Sequence, residues 1–167
     1  MANETVYLAG GCYWGFEDLL SKIPGVIETA VGFSGGHVKN VSYREVSSGT
    51  TGHAETVKVI FNSDILSFTD LLTFFFKMHN PTTLNQQGND IGTQYRSAIF
   101  ATTDEQILLA EELIKKIDSL GVLTKKITTE VNTFNTFFLA EDNHQKYLEK
   151  YPDGYTCHFI RDINLSV

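Results

Sequence analysis

Short β-favouring runs and helix-like periodicities follow one another along the chain. Residues 5–9 read Thr-Val-Tyr-Leu-Ala, a run rich in strand-forming side chains that ends at Gly10 and Gly11. Apolar side chains then recur at helical spacing, at Trp14, Leu19 and Ile23. This order predicts a strand, a glycine turn and a helix.

Two further runs alternate between apolar and polar or small side chains, which indicates strands with one buried face. The first runs into a turn at residues 35–36, and the side chains expected on its buried face are Ile27, Thr29, Val31 and Phe33. The second spans residues 55–61, and the apolar side chains that share a face there are Val57, Val59 and Phe61.

Two helices carry signals at their ends. Ser67 and the acidic residue three positions later predict a helix that stops before residues 80–81, Asn-Pro, because proline disfavours a helical predecessor. Thr102 and Glu105 fit a capping box for a second helix, and Gly121 closes it.

The remaining segments carry weaker signals. A polar, glycine-bearing stretch over residues 82–94 is long for a plain connection and suggests a functional loop. Residues 97–101 and 127–131 have the pattern of strands. A last helix over about residues 140–151 precedes a polar tail over residues 152–167.

The mixture of these elements sets the expected fold. Strands and helices do not alternate strictly, which favours an α+β fold over a doubly wound parallel sheet. We predict a two-layer sandwich with a mixed or antiparallel sheet, helices packed on it and a ferredoxin-like core. With 167 residues, 42% of them hydrophobic, and no linker-like stretch, the chain fits a single domain over residues 1–167.

Charge and hydropathy exclude several classes of partner. Thirteen Lys and Arg residues against 20 Asp and Glu residues give a net charge of -7, without a basic cluster that would bind nucleic acid. The longest apolar run, over residues 71–76, is far shorter than the roughly 20 residues of a membrane helix.

Only two cysteines occur, so we expect no disulfide framework and a reducing, cytoplasmic compartment. We also expect a monomer.

Cys12 is the first candidate for chemistry. It follows Gly10 and Gly11 at the predicted start of a helix, where unpaired N–H groups and the helix dipole favour an anion. Such a thiol should be partly ionised near neutral pH. The alternative is that Cys12 is a small buried hydrophobe and that Tyr13 and Trp14 beside it are core residues.

Glu55 is the second candidate. By strand parity it shares a face with Val57 and Val59 and should point towards the apolar side of the sheet. Burial would favour the neutral carboxyl, which could then donate a proton. The alternative is that the strand begins later and leaves Glu55 in solvent.

One of the histidines suggests an alternative function. His53 paired with Cys12 would make a thiol hydrolase. The histidines lack the ligand spacing of a zinc site, so we expect no metal, and we expect His144 to be a packed residue of the last helix. A peptide-binding module that does not convert its ligand is a third hypothesis.

Four motifs in order carry a resemblance that covers nearly the whole chain. They are Gly-Gly-Cys-Tyr-Trp-Gly at 10–15, Gly-His-Ala-Glu at 52–55, the glycine-bearing loop at 88–97 and Ala-Glu-Asp-Asn-His-Gln-Lys-Tyr at 140–147. Together they resemble the A-type peptide methionine sulfoxide reductases. The first motif has Tyr13 where the family usually has Phe.

The resemblance implies a role for each candidate. Cys12 matches the nucleophile that attacks the sulfoxide sulfur, and Glu55 matches the acid that protonates the departing oxygen. Tyr13 and Trp14 match the pocket for the methyl group on the sulfur. The positions that hydrogen-bond the sulfoxide oxygen, directly or through water, match Tyr43, Asp90 and Tyr95.

The resemblance also implies how the enzyme is recycled. Reduction of the S epimer of methionine sulfoxide, free or in peptides and proteins, would leave a sulfenic acid on Cys12. Cys157 matches the resolving cysteine, although Thr156 separates it from the Gly-Tyr pair that usually precedes it. The implied reductant is thioredoxin, or dithiothreitol in vitro, with no bound cofactor.

Overall fold

The structure is a computed structural model that describes residues 3–156, 158–163 and 165. The long strands and helices are β1 (Asn3–Gly10), α1 (Tyr13–Ser21), β2 (Val26–Ser34), β3 (Ala54–Asn62), α3 (Phe68–Met78), β6 (Ser97–Ala101) and α4 (Asp104–Leu120). The shorter ones are α2 (Tyr43–Ser47), β4 (Gln86–Gln87), β5 (Asp90–Ile91), β7 (Glu130–Thr133), β8 (Phe137–Leu139) and α5 (Tyr147–Lys150). Within the described ranges, none of the helices combines the length and the apolar character that crossing a membrane requires.

The six-stranded sheet has the order β7-β6-β1-β3-β2-β8. Its four central strands pair antiparallel, and the connections β1–α1–β2 and β3–α3–β6 each skip one strand. This is the split βαβ arrangement of a ferredoxin-like core. Because β7 is parallel to β6 at one edge, the sheet is mixed, and the predicted α+β fold is confirmed.

The main core lies between this sheet and the helices α1, α3 and α4. Fully buried side chains meet there from both layers, including Phe33 and Phe61 from strands and Phe16, Phe75 and Ile117 from helices. A smaller cluster on the opposite face of the sheet joins Tyr7 to the chain near Phe134, with ring centroids 4.0 Å apart.

Strand β2 departs from simple alternation at its start. Thr29, Val31 and Phe33 are buried as predicted, but Ile27 is 55% exposed. The pairing of β2 with β3 shifts register between Val26 and Glu28, and a bulge of this kind turns one residue out of the alternation.

Both predicted helix starts exist, one of them displaced by a residue. The Ser67 side chain accepts the N–H of Asp70 at 3.1 Å, as expected. The cap of α4 is Thr103 rather than Thr102, because it is Thr103 that accepts the N–H of Gln106, at 3.1 Å. The C-cap Gly121 has the left-handed conformation, with φ 68.

Several short elements differ from the prediction. Helix α2 begins with a complete capping box between Ser42 and Glu45, the β4–β5 hairpin lies inside the polar loop, and β8 adds an edge strand. The strand predicted at 127–131 begins at Glu130.

The helix predicted over residues 140–151 is wrong. The chain forms a single turn over Asp142–His144 and then the one-turn helix α5. Lys146 between them has φ 53, in the left-handed region, which ends any continuous helix.

Candidate active site

The glycine turn places Cys12 at the start of α1. Strand β1 ends at Gly10, Gly11 turns the chain with φ 100, and Cys12 is the N-cap residue of the helix. A Cβ on Gly11 would lie 2.7 Å from Cγ of Gln87, so the turn requires glycine there. Cys12 is buried, with 6% of its surface exposed, beside the positive end of the helix dipole.

Glu55 is buried, as strand parity predicted. It is 1% exposed, and its Oε1 accepts the N–H of Tyr13, the residue after Cys12, at 3.2 Å. Its Oε2 has no hydrogen-bond partner among the described residues. Burial raises the pKa of Glu55 to about 8, and the nearby charge of Asp90 adds to the rise, so the carboxyl is largely protonated at neutral pH.

Tyr13 and Trp14 form an aromatic wall beside the thiol. The Tyr13 ring is fully buried and lies 5.8 Å from Phe33 and 6.1 Å from Tyr43 between centroids. Its hydroxyl oxygen has no hydrogen-bond partner in the described part of the chain. Burial, together with the charge of Glu55, raises the pKa of Tyr13, so the phenol stays protonated.

Tyr43 on α2 and Tyr95 in the loop before β6 both lie within electrostatic reach of Glu55, Cys12 and Asp90. Burial raises the pKa of Tyr43 to about 12, and negative charges on Glu55, Cys12 and Asp90 add to it. Burial and the same three groups raise the pKa of Tyr95. Both phenols are therefore hydrogen-bond donors at neutral pH, and these five residues lie within electrostatic reach of one another.

Asp90 connects this loop to the C-terminal segment. Its Oδ2 accepts the hydroxyl of Tyr155 at 3.1 Å. Tyr155 was not among the candidates taken from the sequence.

His144 and Tyr147 complete the wall from the far end of the chain. The indole N–H of Trp14 donates to Nδ1 of His144 at 3.0 Å, and the Trp14 and Tyr147 rings stack with centroids 4.0 Å apart. His144 also stacks on Tyr43 at 4.3 Å.

His144 is packed, as expected, but its neighbours are the aromatic residues of the site. Burial lowers its pKa, which keeps Nδ1 available as an acceptor. The motif at 140–147 was the signal that marked this segment.

His53 is not available as a base for the Cys12 thiol. Its Nδ1 accepts the N–H of Gly36 at 3.1 Å, and its Nε2–H donates to the carbonyl oxygen of Val38 at 2.6 Å. With both ring nitrogens engaged by the backbone, the hydrolase pairing with Cys12 has no base. No group of His, Cys, Asp and Glu side chains suited to a metal ion occurs in residues 3–156, 158–163 and 165.

The C-terminal segment returns to the glycine turn. A Cβ on Gly15 would collide with the Thr156 side chain, and His158 Nε2–H donates to the carbonyl oxygen of Gly10 at 2.6 Å. Cys157, predicted to be the resolving cysteine, lies outside the described residues.

The chain is similar to proteins of one family over nearly its whole length. The family model described as "Peptide methionine sulfoxide reductase" matches residues 4–166. A peptide methionine sulfoxide reductase MsrA 1 of Mesorhizobium japonicum is 51% identical over 160 residues, which cover 96% of this chain and 91% of the relative.

Solved structures are similar in fold as well. Mxr1 from Saccharomyces cerevisiae in reduced form aligns with a TM-score of 0.88 at 36% identity, covering 96% of this chain and 93% of that one. Mxr1 in complex with Trx2 aligns with a TM-score of 0.63 at 23% identity, covering 96% and 91%. The chain therefore belongs to the A-type peptide methionine sulfoxide reductases and is an oxidoreductase.

Proposed function

We propose that this enzyme reduces the S epimer of methionine sulfoxide, free or in peptides and proteins, with Cys12 as nucleophile and Glu55 as general acid. The observation that carries the proposal is the buried, protonated Glu55, whose Oε2 has no partner among the described residues and whose Oε1 is bound to the N–H next to Cys12. A carboxyl held neutral in this way is suited to give its proton to an oxygen that becomes basic as it leaves.

The wall and the phenols would orient the substrate. The methyl group on the sulfur packs against Tyr13 and Trp14, while Tyr43 and Tyr95 donate hydrogen bonds to the sulfoxide oxygen. Asp90 acts on the oxygen through water. The raised pKa values of both tyrosines support the donor role, since a phenolate would repel the oxygen.

The first chemical step would transfer oxygen to the enzyme. The Cys12 thiolate attacks the sulfoxide sulfur while Glu55 protonates the oxygen. The S–O bond of the substrate breaks, the oxygen is transferred as a hydroxyl group to the Cys12 sulfur, and the transient bond between the two sulfur atoms breaks as methionine leaves. The products are methionine, reduced by two electrons, and a sulfenic acid on Cys12, oxidised by two.

A second thiol would then resolve the sulfenic acid. The Cys157 thiolate attacks the Cys12 sulfur, water leaves, and a disulfide joins the two residues. The support for Cys157 comes from its two sequence neighbours: Thr156 lies against Gly15 in the first turn of α1, and His158 binds Gly10 in the turn before Cys12. Thioredoxin is the proposed reductant of this disulfide, in line with the Mxr1 structure in complex with Trx2. We infer a role in protein repair after oxidative stress, in the cytoplasm.

One experiment tests the nucleophile, its oxidation and its partner together. The protein is incubated with a peptide containing methionine-S-sulfoxide and no reductant, and both masses are measured. We expect one equivalent of reduced peptide and a protein lighter by about two hydrogens, with Cys12 linked to Cys157. The R epimer serves as the control substrate and should remain oxidised.

Variants separate the proposal from the peptide-binding alternative. Cys12→Ser should abolish reduction with dithiothreitol present. Cys157→Ser should keep a single turnover and slow cycling with thioredoxin. If the wild-type mass does not change and the peptide stays oxidised, the protein binds without converting its ligand. If Cys157→Ser cycles with thioredoxin at the wild-type rate, Cys157 is not the resolving thiol.

A further inference from the structure

Beside the aromatic wall lies a polar cluster of two buried residues, Glu17 and Thr29, and the partly exposed Lys146. Oε1 of Glu17 accepts the backbone N–H of Lys146 at 2.8 Å, and Oε2 accepts Nζ of Lys146 at 3.1 Å and the Thr29 hydroxyl at 2.9 Å. The Lys146 ammonium also donates to the carbonyl oxygen of Thr29 at 2.6 Å and to its hydroxyl oxygen at 2.7 Å. Glu17 is 1% exposed and Thr29 is 5% exposed, whereas the side chain of Lys146 is 39% exposed.

The cluster joins three parts of the fold that are distant in sequence. Glu17 lies on α1 one turn after Trp14, Thr29 lies on β2, and Lys146 lies between the turn at Asp142–His144 and α5. Lys146 has φ 53, a conformation that is costly for a residue with a Cβ. Such a conformation persists when surrounding contacts determine it, and here the Glu17 carboxylate binds both the backbone and the side chain of Lys146.

Gln145, the residue before Lys146, is also held in place by hydrogen bonds. Gln145 accepts the N–H of Val31 with its Oε1 at 2.8 Å and donates from Nε2 to the carbonyl oxygen of Val31 at 2.8 Å. The backbone of residues 145–146 is thus tied to β2 and to α1 at once.

The two residues on either side of this anchored pair form the wall. His144 precedes it and accepts the indole N–H of Trp14 at 3.0 Å, and Tyr147 follows it and stacks on Trp14 at 4.0 Å. Neither Glu17 nor Lys146 is among the residues that contact the proposed substrate position. The left-handed backbone conformation of Lys146 determines the directions in which the side chains of His144 and Tyr147 project from the backbone.

We propose that the Glu17–Lys146 ion pair is a positioning element that sets substrate affinity by fixing His144 and Tyr147 against Trp14. This inference rests on the proposed function, because the affinity in question is for methionine sulfoxide at the Trp14 wall. Loosening the pair should weaken binding of the substrate methyl group while leaving Cys12 and Glu55 intact, since both are held by β1, α1 and β3.

The test compares the double variant Glu17→Gln with Lys146→Met, which removes both charges together, with the matched control Lys150→Met. Lys150 lies four residues further on, and among the contacts described its ammonium donates only to the carbonyl oxygen of Asp142, at 2.9 Å. With a methionine-S-sulfoxide peptide and dithiothreitol, we expect the double variant to raise KM about tenfold and to change kcat by less than about twofold. The control should match the wild type in both constants.

A second readout does not depend on turnover. Trp14 is the only tryptophan of the chain, so fluorescence excited at wavelengths that tyrosine does not absorb reports on the wall. The double variant should shift Trp14 emission to longer wavelength and make it more accessible to acrylamide, while the alkylation rate of Cys12 stays unchanged. If the double variant does not fold, Thr29→Val replaces it, since that change removes only the hydroxyl shared by both charges, and the same criteria apply.

Two results would overturn the proposal. One is a folded variant with wild-type KM and wild-type Trp14 quenching, and the other is a fall in kcat with KM unchanged. Failure of the proposed function would look different, because the wild type would then leave the sulfoxide oxidised while the fluorescence comparison still reported on the wall.

Discussion

Two glutamates in this molecule are buried to the same extent and have opposite surroundings. Glu55 and Glu17 are each 1% exposed. Glu17 is satisfied by an ammonium, a hydroxyl and a backbone N–H, whereas Glu55 accepts one backbone N–H and has an oxygen without a partner in the described ranges. A buried carboxylate that is paired with a cation holds parts of the fold together. A buried carboxyl without a cation stays protonated and can donate its proton.

The largest effect should come from Glu55→Gln. The amide keeps the shape and can still accept the N–H of Tyr13, but it has no proton to give to the sulfoxide oxygen. We expect kcat/KM for the S-sulfoxide peptide to fall by about 10²- to 10⁴-fold, the usual contribution of a general acid. Steady-state kinetics with dithiothreitol measures this, and Glu17→Gln is the control in kcat for the loss of a buried carboxyl elsewhere, because Glu17 is proposed to affect KM and not kcat.

The comparison fails if the two substitutions have equal effects on kcat. If Glu55→Gln lowers kcat while Glu17→Gln changes stability and KM and keeps kcat, each glutamate acts in the role that its surroundings suggest.

The next largest effect concerns Glu17. Lys146→Met removes the cation of the buried Glu17 carboxylate. Because the Lys146 side chain is 39% exposed and water can partly replace it, we expect the free energy of unfolding to fall by about 2 kcal/mol. Adding Glu17→Gln should recover part of that loss because the unpaired charge is removed. Urea denaturation followed by far-UV circular dichroism measures both, with Lys150→Met expected within about 0.5 kcal/mol of wild type. A double variant less stable than Lys146→Met alone would contradict this account.

A pH dependence follows from Glu55 alone. Its pKa rises from 4.5 to about 8 on folding, so the folded state holds a proton that the unfolded state releases. The contribution of Glu55 to stability is therefore fully present below pH 4.5 and declines towards pH 8, at up to about 1.4 kcal/mol per pH unit. Denaturation of wild type and Glu55→Gln at several pH values isolates this slope, which the variant should lack. Activity should also fall as the pH rises through 8.

What the sequence predicted well depended on local periodicity. The burial of Glu55 follows from alternation along a single strand, and the turn before Cys12 follows from two adjacent glycines. The last helix was predicted wrongly because its conformation is set by distant partners. Gln145 binds Val31 and Lys146 binds Glu17, contacts more than 100 residues apart that no local pattern contains.

The same reason explains which site residues were missed. His144 was expected to pack, and it does, but only the folded chain brings it to Trp14 and Tyr43. Strand β8 is three residues long and leaves too short a pattern to identify. The cap of α4 was misplaced by one residue because Thr102 and Thr103 are both acceptable caps, and their tertiary contacts decide between them.

The smallest effect extends the comparison to a third buried polar group, the Tyr13 hydroxyl. This oxygen is fully buried and has no hydrogen-bond partner among residues 3–156, 158–163 and 165, so it was desolvated without compensation. Tyr13→Phe removes it and keeps the ring, and we expect the free energy of unfolding to rise by about 1 kcal/mol. Tyr151→Phe is the matched control, because Tyr151 is 55% exposed and should give no change. A loss of stability in Tyr13→Phe would mean that the hydroxyl has a hydrogen-bond partner in solution. The Tyr13 oxygen would then resemble the hydrogen-bonded carboxylate of Glu17 and not the unpartnered oxygen of Glu55.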